Sequence, residues 1–255
     1  MAVTFDPYAP SLVHPAPLSK PMAALHRLAF YPVLVTQGPF IKFRTERLQE
    51  PKGARQGVIG QGPDLRVLIV GDSSAAGVGV ATQSQALSGR LAYGLAPYAR
   101  LDWEMVARCG DTTPMALKRV KAAQPRRADV AVVALGVNDI MRGTRLARWL
   151  EQTEHLLDHL TRTIGVGHVY LSGLPAVSQF PRLPNPLRWS MGHQAERFDR
   201  GLRALVSTRD DTTLIPADMA LTADNMARDG FHPGPKVYAF WADLIVAQIR
   251  EDRGL

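Results

Sequence analysis

Of 255 residues, one is a cysteine, Cys109. No disulfide can close within the chain, and the redox compartment stays open. Cys109 reads as a small buried apolar residue rather than a nucleophile. Zinc-binding cysteine pairs are absent too. Aromatic residues make up only 7% of the chain. The net charge of +7 and pI near 9.8 therefore lack the stacking platforms of a nucleic-acid binder. The densest basic groups, Lys42 to Arg47 and Arg126-Arg127, are short. That charge reads as solvated surface, and no nucleic-acid partner is expected. Internal repeats are missing. With 46% apolar and 21% charged residues, the composition is that of a globular chain long enough to bury one α/β core.

An unbroken hydrophobic run is also missing. Met22 to Ile41 comes nearest, but His26, Arg27, Pro32 and Gly38-Pro39 interrupt it. An arm with five prolines precedes it over residues 1–21, and no small-x-small cleavage site stands out. A secretory signal is not expected. Two readings remain: a short helix packed on the domain, or an interfacial anchor helped by Lys42, Arg44 and Arg47. Packing is favoured. The expected location is the cytoplasm, with peripheral membrane contact through residues 22–47 as the alternative. Residues 48–64, with Pro51, Gly53, Gly57, Gly60, Gly62 and Pro63, read as a linker. The chain thus divides into an N-terminal part, 1–63, and a domain over 64–255.

What the chain does contain centres on Val67-Leu68-Ile69-Val70-Gly71-Asp72-Ser73-Ser74. A β-branched apolar run stops at Gly-Asp-Ser, as a buried parallel strand does when it meets a tight turn before a helix. Such a turn lifts the Ser73 hydroxyl to the carboxyl edge of a sheet. A plainer reading makes Asp72-Ser73-Ser74 a helix cap. Beyond it, elements alternate: a helix over 85–95, a strand over 103–106, a helix from Pro114 and a strand over 129–135. A long helix over 144–163 and a strand over 168–174 follow. The four prolines between Pro175 and Trp189 make that stretch an irregular loop. Its Phe180, Leu183, Leu187 and Trp189 are candidates to line a pocket. A helix over 192–207, a strand over 213–215 and a helix over 236–249 complete the chain. This alternation predicts a three-layer α/β/α fold, a flavodoxin-like parallel sheet of about five strands.

In such a sheet the loops after the strands share one edge, so Ser73, Gly110, Asn138 and the Asp229/His232 pair can meet. Acyl transfer needs those parts: nucleophile, base, a carboxylate to orient the base, and donors for an oxyanion. Ser73 is the candidate nucleophile and His232 the candidate base. Asp229, three residues earlier, falls on the same side of a helical turn and can orient the imidazole. The Ser73 and Gly110 amides and the Asn138 side chain are candidate oxyanion donors. Taken singly, each has a plainer reading as a turn, cap or loop residue.

Gly71-Asp72-Ser73, the Gly110 loop, Gly136-Val137-Asn138-Asp139 and Asp229-Gly230-Phe231-His232 together resemble the blocks of the SGNH/GDSL hydrolase family. The resemblance covers about residues 64–255. It implies a serine esterase without a cofactor or metal, acting through an acyl-enzyme. Family substrates include short-to-medium acyl esters, lysophospholipids, thioesters and acetylated sugars. The departure lies at Cys109, where family members often carry Asn before the glycine. Two rival readings use the same residues. Gly77-Val78-Gly79 after a strand invites a nucleotide-binding module, although Thr82 stands where a dinucleotide fingerprint has its third glycine. Asp72, Asp229 and His232 could instead hold a hydrolytic metal. Arg142, Arg145 and Arg182 could meet an acidic head group, though solvated surface explains them equally. The sequence sets no oligomeric state.

Overall fold

The computed structural model describes residues 48–255. The Pro-rich arm and the apolar stretch with its packed or interfacial readings lie outside those residues. Among the described residues six strands form one sheet: β1 (Gln56–Ile59), β2 (Asp64–Gly71), β3 (Arg100–Ala107), β4 (Val130–Ala134), β5 (His168–Ser172) and β6 (Thr212–Ile215). Their spatial order is β1-β3-β2-β4-β5-β6. Only β1 runs antiparallel, against β3; all other pairs are parallel. The five parallel strands therefore follow the flavodoxin-like order, and chain direction reverses its progress at β2 beside β4.

Both sheet faces are covered, which explains the uninterrupted apolar strands. Val67 and Ile69 of β2 face α1 (Leu87–Leu95) and, near the end of the chain, α6 (Pro235–Arg253). Leu68 and Val70 face α2 (Thr113–Ala123), α4 (Leu146–Asp158) and α5 (Leu187–Val206). Between β4 and α4 lies the single-turn α3 (Val137–Met141). Trp149 of α4 stacks on Phe198 of α5, with ring centroids 4.8 Å apart, so the two helices share one buried aromatic contact. The end of the long helix expected to Thr163 widens into a π-turn over His159–Ile164, and Gly165 closes it at φ +82°.

Two boundaries differ from the sequence reading. Residues 48–64 are not a linker: Gln56–Ile59 is the edge strand β1, so the sheet starts before Asp64. A four-residue strand paired on one side needs little apolar signal. Gly57 fits because it crosses the Trp103 ring, where an added Cβ would sit 3.3 Å from Nε1. The helix expected from residue 192 begins at Leu187. Pro184 and Pro186 supply carbonyls to the Arg188 and Ser190 amides at 2.8 and 3.0 Å, so the prolines start this helix rather than prevent it.

Candidate active site

The turn after β2 is built by Asp72. Its buried carboxylate accepts the Ser74 amide at 2.9 Å and the Ser74 hydroxyl at 2.8 Å. The Ala76 and Val78 amides donate to the Asp72 and Ser73 carbonyls, both at 2.9 Å. Burial raises the Asp72 pKa, against the lowering effect of those Ser74 hydrogen bonds. Gly71 precedes the turn because β2 and β4 leave no room there: a Cβ would lie 2.5 Å from the Ala134 carbonyl oxygen.

His232 arrives from the loop before α6. The sequence reading placed it on a helical turn; instead a bridge between Met226 and Pro233 closes a loop. Within it Gly230 adopts φ +61°, a conformation suited to glycine. One Asp229 oxygen accepts the Phe231 and His232 amides, each at 3.0 Å. The other lies 2.5 Å from His232 Nδ1. A carboxylate only accepts, so Nδ1 carries the proton and Nε2 is left bare. Nε2 faces Ser73 Oγ at 3.0 Å. Burial pushes the Asp229 pKa up, but the His232 side-chain and amide hydrogen bonds outweigh it and hold the carboxyl below its usual range. Ser73, His232 and Asp229, 156 and more residues apart at the extremes, thus form one continuous hydrogen-bonded chain.

The candidate oxyanion donors divide. The Ser73 and Gly110 amides donate to no acceptor among the described residues. Gly110 sits at φ +83° on the loop after β3. Asn138 lines the cavity beside Ser73, yet its Nδ2 donates to Asp72 Oδ2 and to the Asp111 carbonyl, both at 3.0 Å. Its position follows from Gly136, which turns β4 into α3 at φ +123°. Asp139, the next residue, is buried and accepts the Thr113 amide and hydroxyl; the Trp149 indole in turn donates to that hydroxyl at 3.1 Å. The loop after β4 is thereby fastened to α2 and α4. Sequence reasoning had Asp139 only as part of a motif.

Beside Ser73 opens a cavity whose wall is largely apolar, with Leu174, Phe180, Met219, Leu221, Trp241 and Leu244 along it. Of the four side chains expected to line it, only Phe180 does. Leu183 is buried in the core, Leu187 packs against that core, and Trp189 lies edge-on to His193. The residues sequence reasoning missed include Met219 and Leu221 from the loop after β6 and Trp241 and Leu244 from α6.

Cys109 departs from its expected burial: it is exposed on the loop after β3, and the surrounding protein with the Glu50 and Asp72 carboxylates pushes its thiol pKa up. Gly77 and Gly79 serve close packing. A Cβ on Gly79 would lie 2.2 Å from the Pro233 carbonyl oxygen, and one on Gly77 2.5 Å from Ala86 Cβ. The Gly79 contact holds the turn after Ser73 against the His232 loop, the Gly77 contact packs it on Ala86, and the nucleotide reading is left without its glycine-rich cradle. Among the described residues no group of three or more His, Cys, Asp or Glu is arranged for a metal ion. Arg142 and Arg182 donate to the Gly110 and Arg228 carbonyls at 3.2 and 3.4 Å. Among the described residues no helix is long and apolar enough to cross a membrane.

Residues 69–240 match the model of the GDSL-like lipase/acylhydrolase family. The chain belongs to this family. A GDSL-like esterase of Mycobacterium tuberculosis is 28% identical over 199 residues, covering 74% of this chain and 62% of that protein. The chain thus spans less than two thirds of that relative's length. Among solved structures, a psychrotrophic esterase of Pseudoalteromonas aligns with TM-score 0.59 and 20% identity, over 75% of this chain and all of its own. TesA aligns with TM-score 0.58 and 25% identity, over 73% and 98% of the two chains. An inhibitor-bound aryl esterase of M. smegmatis gives 0.58 at 17% identity, over 73% and 99%. The three-layer fold is common to all three.

Proposed function

We propose that this GDSL-family chain is a serine esterase that hydrolyses carboxylic esters with an apolar acyl group through an acyl-enzyme on Ser73. The observation that carries the reading is the hydrogen-bonded run Asp229, His232, Ser73, at 2.5 and 3.0 Å, opening beside an apolar cavity. As Ser73 Oγ attacks the ester carbonyl carbon, its proton passes to His232 Nε2. Asp229 stabilises the imidazolium that results. The carbonyl oxygen becomes an oxyanion and takes the two open amide donors of Ser73 and Gly110. The Asn138 Nδ2 joins them by sharing a hydrogen now directed at Asp72 or Asp111, a donor of a kind worth ~10²–10³ in rate. Collapse expels the alcohol, which takes the proton from His232. Water then repeats the sequence, with His232 as base, and releases the acid.

The cavity wall selects the acyl group. An acetylated sugar would place hydroxyls against Leu174, Met219 and Leu221, where few partners exist for them. A hydrocarbon chain buries against the same wall at a gain of ~0.8 kcal/mol per methylene. The test is a series of nitrophenyl acetate, butyrate and octanoate with full-length protein, together with fluorophosphonate labelling. Label on Ser73, kcat/KM rising beyond acetate, and loss of both turnover and label in Ser73→Ala are expected. Unchanged turnover in Ser73→Ala overturns the reading.

A further inference from the structure

Gly110 owes its position to several residues of the family-matched region and to one that lies outside it, before residue 69. The loop from Arg108 to Thr112 hangs from the end of β3. Its first amide, Arg108 N–H, donates to the Gly71 carbonyl at 3.3 Å, and the Asp111 amide donates to the Arg108 carbonyl at 3.2 Å. The Asp111 carbonyl accepts Asn138 Nδ2, and the Asp111 carboxylate takes two hydrogen bonds from Arg119, at 2.6 and 3.1 Å. Arg142 donates to the Gly110 carbonyl at 3.2 Å. The amide left over, Cys109 N–H, donates to Glu50 Oε1 at 3.0 Å. The peptides before and after the one carrying Gly110 N–H are therefore both pinned, while Gly110 N–H itself has no acceptor.

Glu50 is held in turn. Its other carboxylate oxygen accepts Arg55 Nη1 at 2.7 Å, and Arg55 Nη2 donates to the Ala107 carbonyl, the last of β3. Around it, residues 52–59 are tied to the domain by main-chain hydrogen bonds. Lys52 O accepts the Gln83 amide at 2.9 Å, Arg55 O accepts the Met105 amide at 2.8 Å, and β1 pairs with β3. This strap precedes residue 69, where the family match begins.

We infer that Glu50 is a positioning residue that aims the Gly110 amide at the oxyanion, supplied by the segment before the family-matched region. This rests on the esterase reading above. A loop freed at Cys109 leaves the Gly110 peptide restrained only through the Arg108 and Gly110 carbonyls, and a glycine with φ +83° and no atom within 4 Å of its Cβ position adds no steric stop of its own. Displacements of this size typically cost about 10-fold to 100-fold in rate. Because the oxyanion exists only in the transition state, the loss falls on kcat and leaves KM nearly unchanged.

The experiment compares full-length wild type, Glu50→Ala and Glu50→Gln in nitrophenyl butyrate hydrolysis, fluorophosphonate labelling and thermal unfolding. Glu50→Ala is expected to lose about 10-fold to 100-fold in kcat with KM within about twofold. Glu50→Gln, whose Oε1 can still accept the Cys109 amide, should recover most of it. An active wild type with Glu50→Ala at wild-type kcat overturns the assignment of Glu50 and leaves the esterase reading standing. Equal loss in Glu50→Ala and Glu50→Gln also overturns it, since the effect would then follow charge or folding. A wild type that neither hydrolyses ester nor takes label overturns both.

Discussion

Asp229→Asn separates what Asp229 does for the reaction from what it does for the fold. The side chain has two distinct duties. Oδ1 accepts the Phe231 and His232 amides at 3.0 Å each, and Oδ2 faces His232 Nδ1 at 2.5 Å. Asparagine has one oxygen. Two amide donors converge on the Oδ1 position, so the oxygen goes there and the NH₂ group turns to Nδ1. An NH₂ can only donate, and Nδ1 must then be the bare nitrogen. The imidazole proton moves to Nε2, pointing at Ser73 Oγ, where no base remains to take the hydroxyl proton. The corresponding swap in serine proteases lowers kcat by ~10⁴, about 5.5 kcal/mol of transition-state stabilisation. Both loop amides keep their shared acceptor, so the stability loss is confined to the charge-assisted His232 contact, about 1.5–3 kcal/mol. Asp229→Ala removes that acceptor as well and adds about 1–3 kcal/mol for each buried amide left without one. The assay pairs kcat on nitrophenyl butyrate with urea unfolding for both variants. Comparable kcat losses, with the alanine variant clearly less stable, are expected. Asparagine retaining a tenth or more of wild-type kcat would refute the tautomer argument.

Two further outcomes follow from the loop after β4. Burial raises the Asp139 pKa from the usual 3.8 to about 6, against the lowering effect of the Thr113 hydrogen bonds. The folded chain then keeps a proton that the unfolded chain has released, so this stabilisation is complete below pH ~4 and is lost as the pH rises through ~6. Relative to Asp139→Asn, wild type should lose about 3 kcal/mol between pH ~4 and pH ~7, read by urea unfolding at each pH; a constant difference speaks against a proton held there. Gly136→Ala places a Cβ 2.7 Å from Leu174 Cδ2 and 2.9 Å from Trp149 Cζ2, at φ +123°. It should cost about 2 kcal/mol or more in stability and lower kcat by displacing Asn138; a variant neutral in both would show that the turn relaxes freely.

The parts of the site that could be read from the sequence share one property: each is a residue type whose side chain does what no substitute does at the end of a strand. Ser73 follows an apolar run too regular to be a loop, Asn138 comes four residues after β4 ends, and His232 has its carboxylate three residues away. The strand order needed only alternation and right-handed crossovers to bring them to one edge. What escaped was held by the backbone. Glu50 meets a main-chain amide, which every residue but proline offers, so nothing about Cys109 announces its partner 59 positions away. β1 escaped for a like reason: of four residues paired through main-chain bonds only Ile59 packs against the core, and the glycines around them imitate a linker. The turn at Asp229 shows the same split in a single motif. Its side-chain spacing marked the pair correctly, while its geometry came from the Gly230 backbone and two amides on one oxygen, not from a helix. Which side chains meet was therefore legible before the fold was known, and orientation carried by main-chain hydrogen bonds became legible only with it.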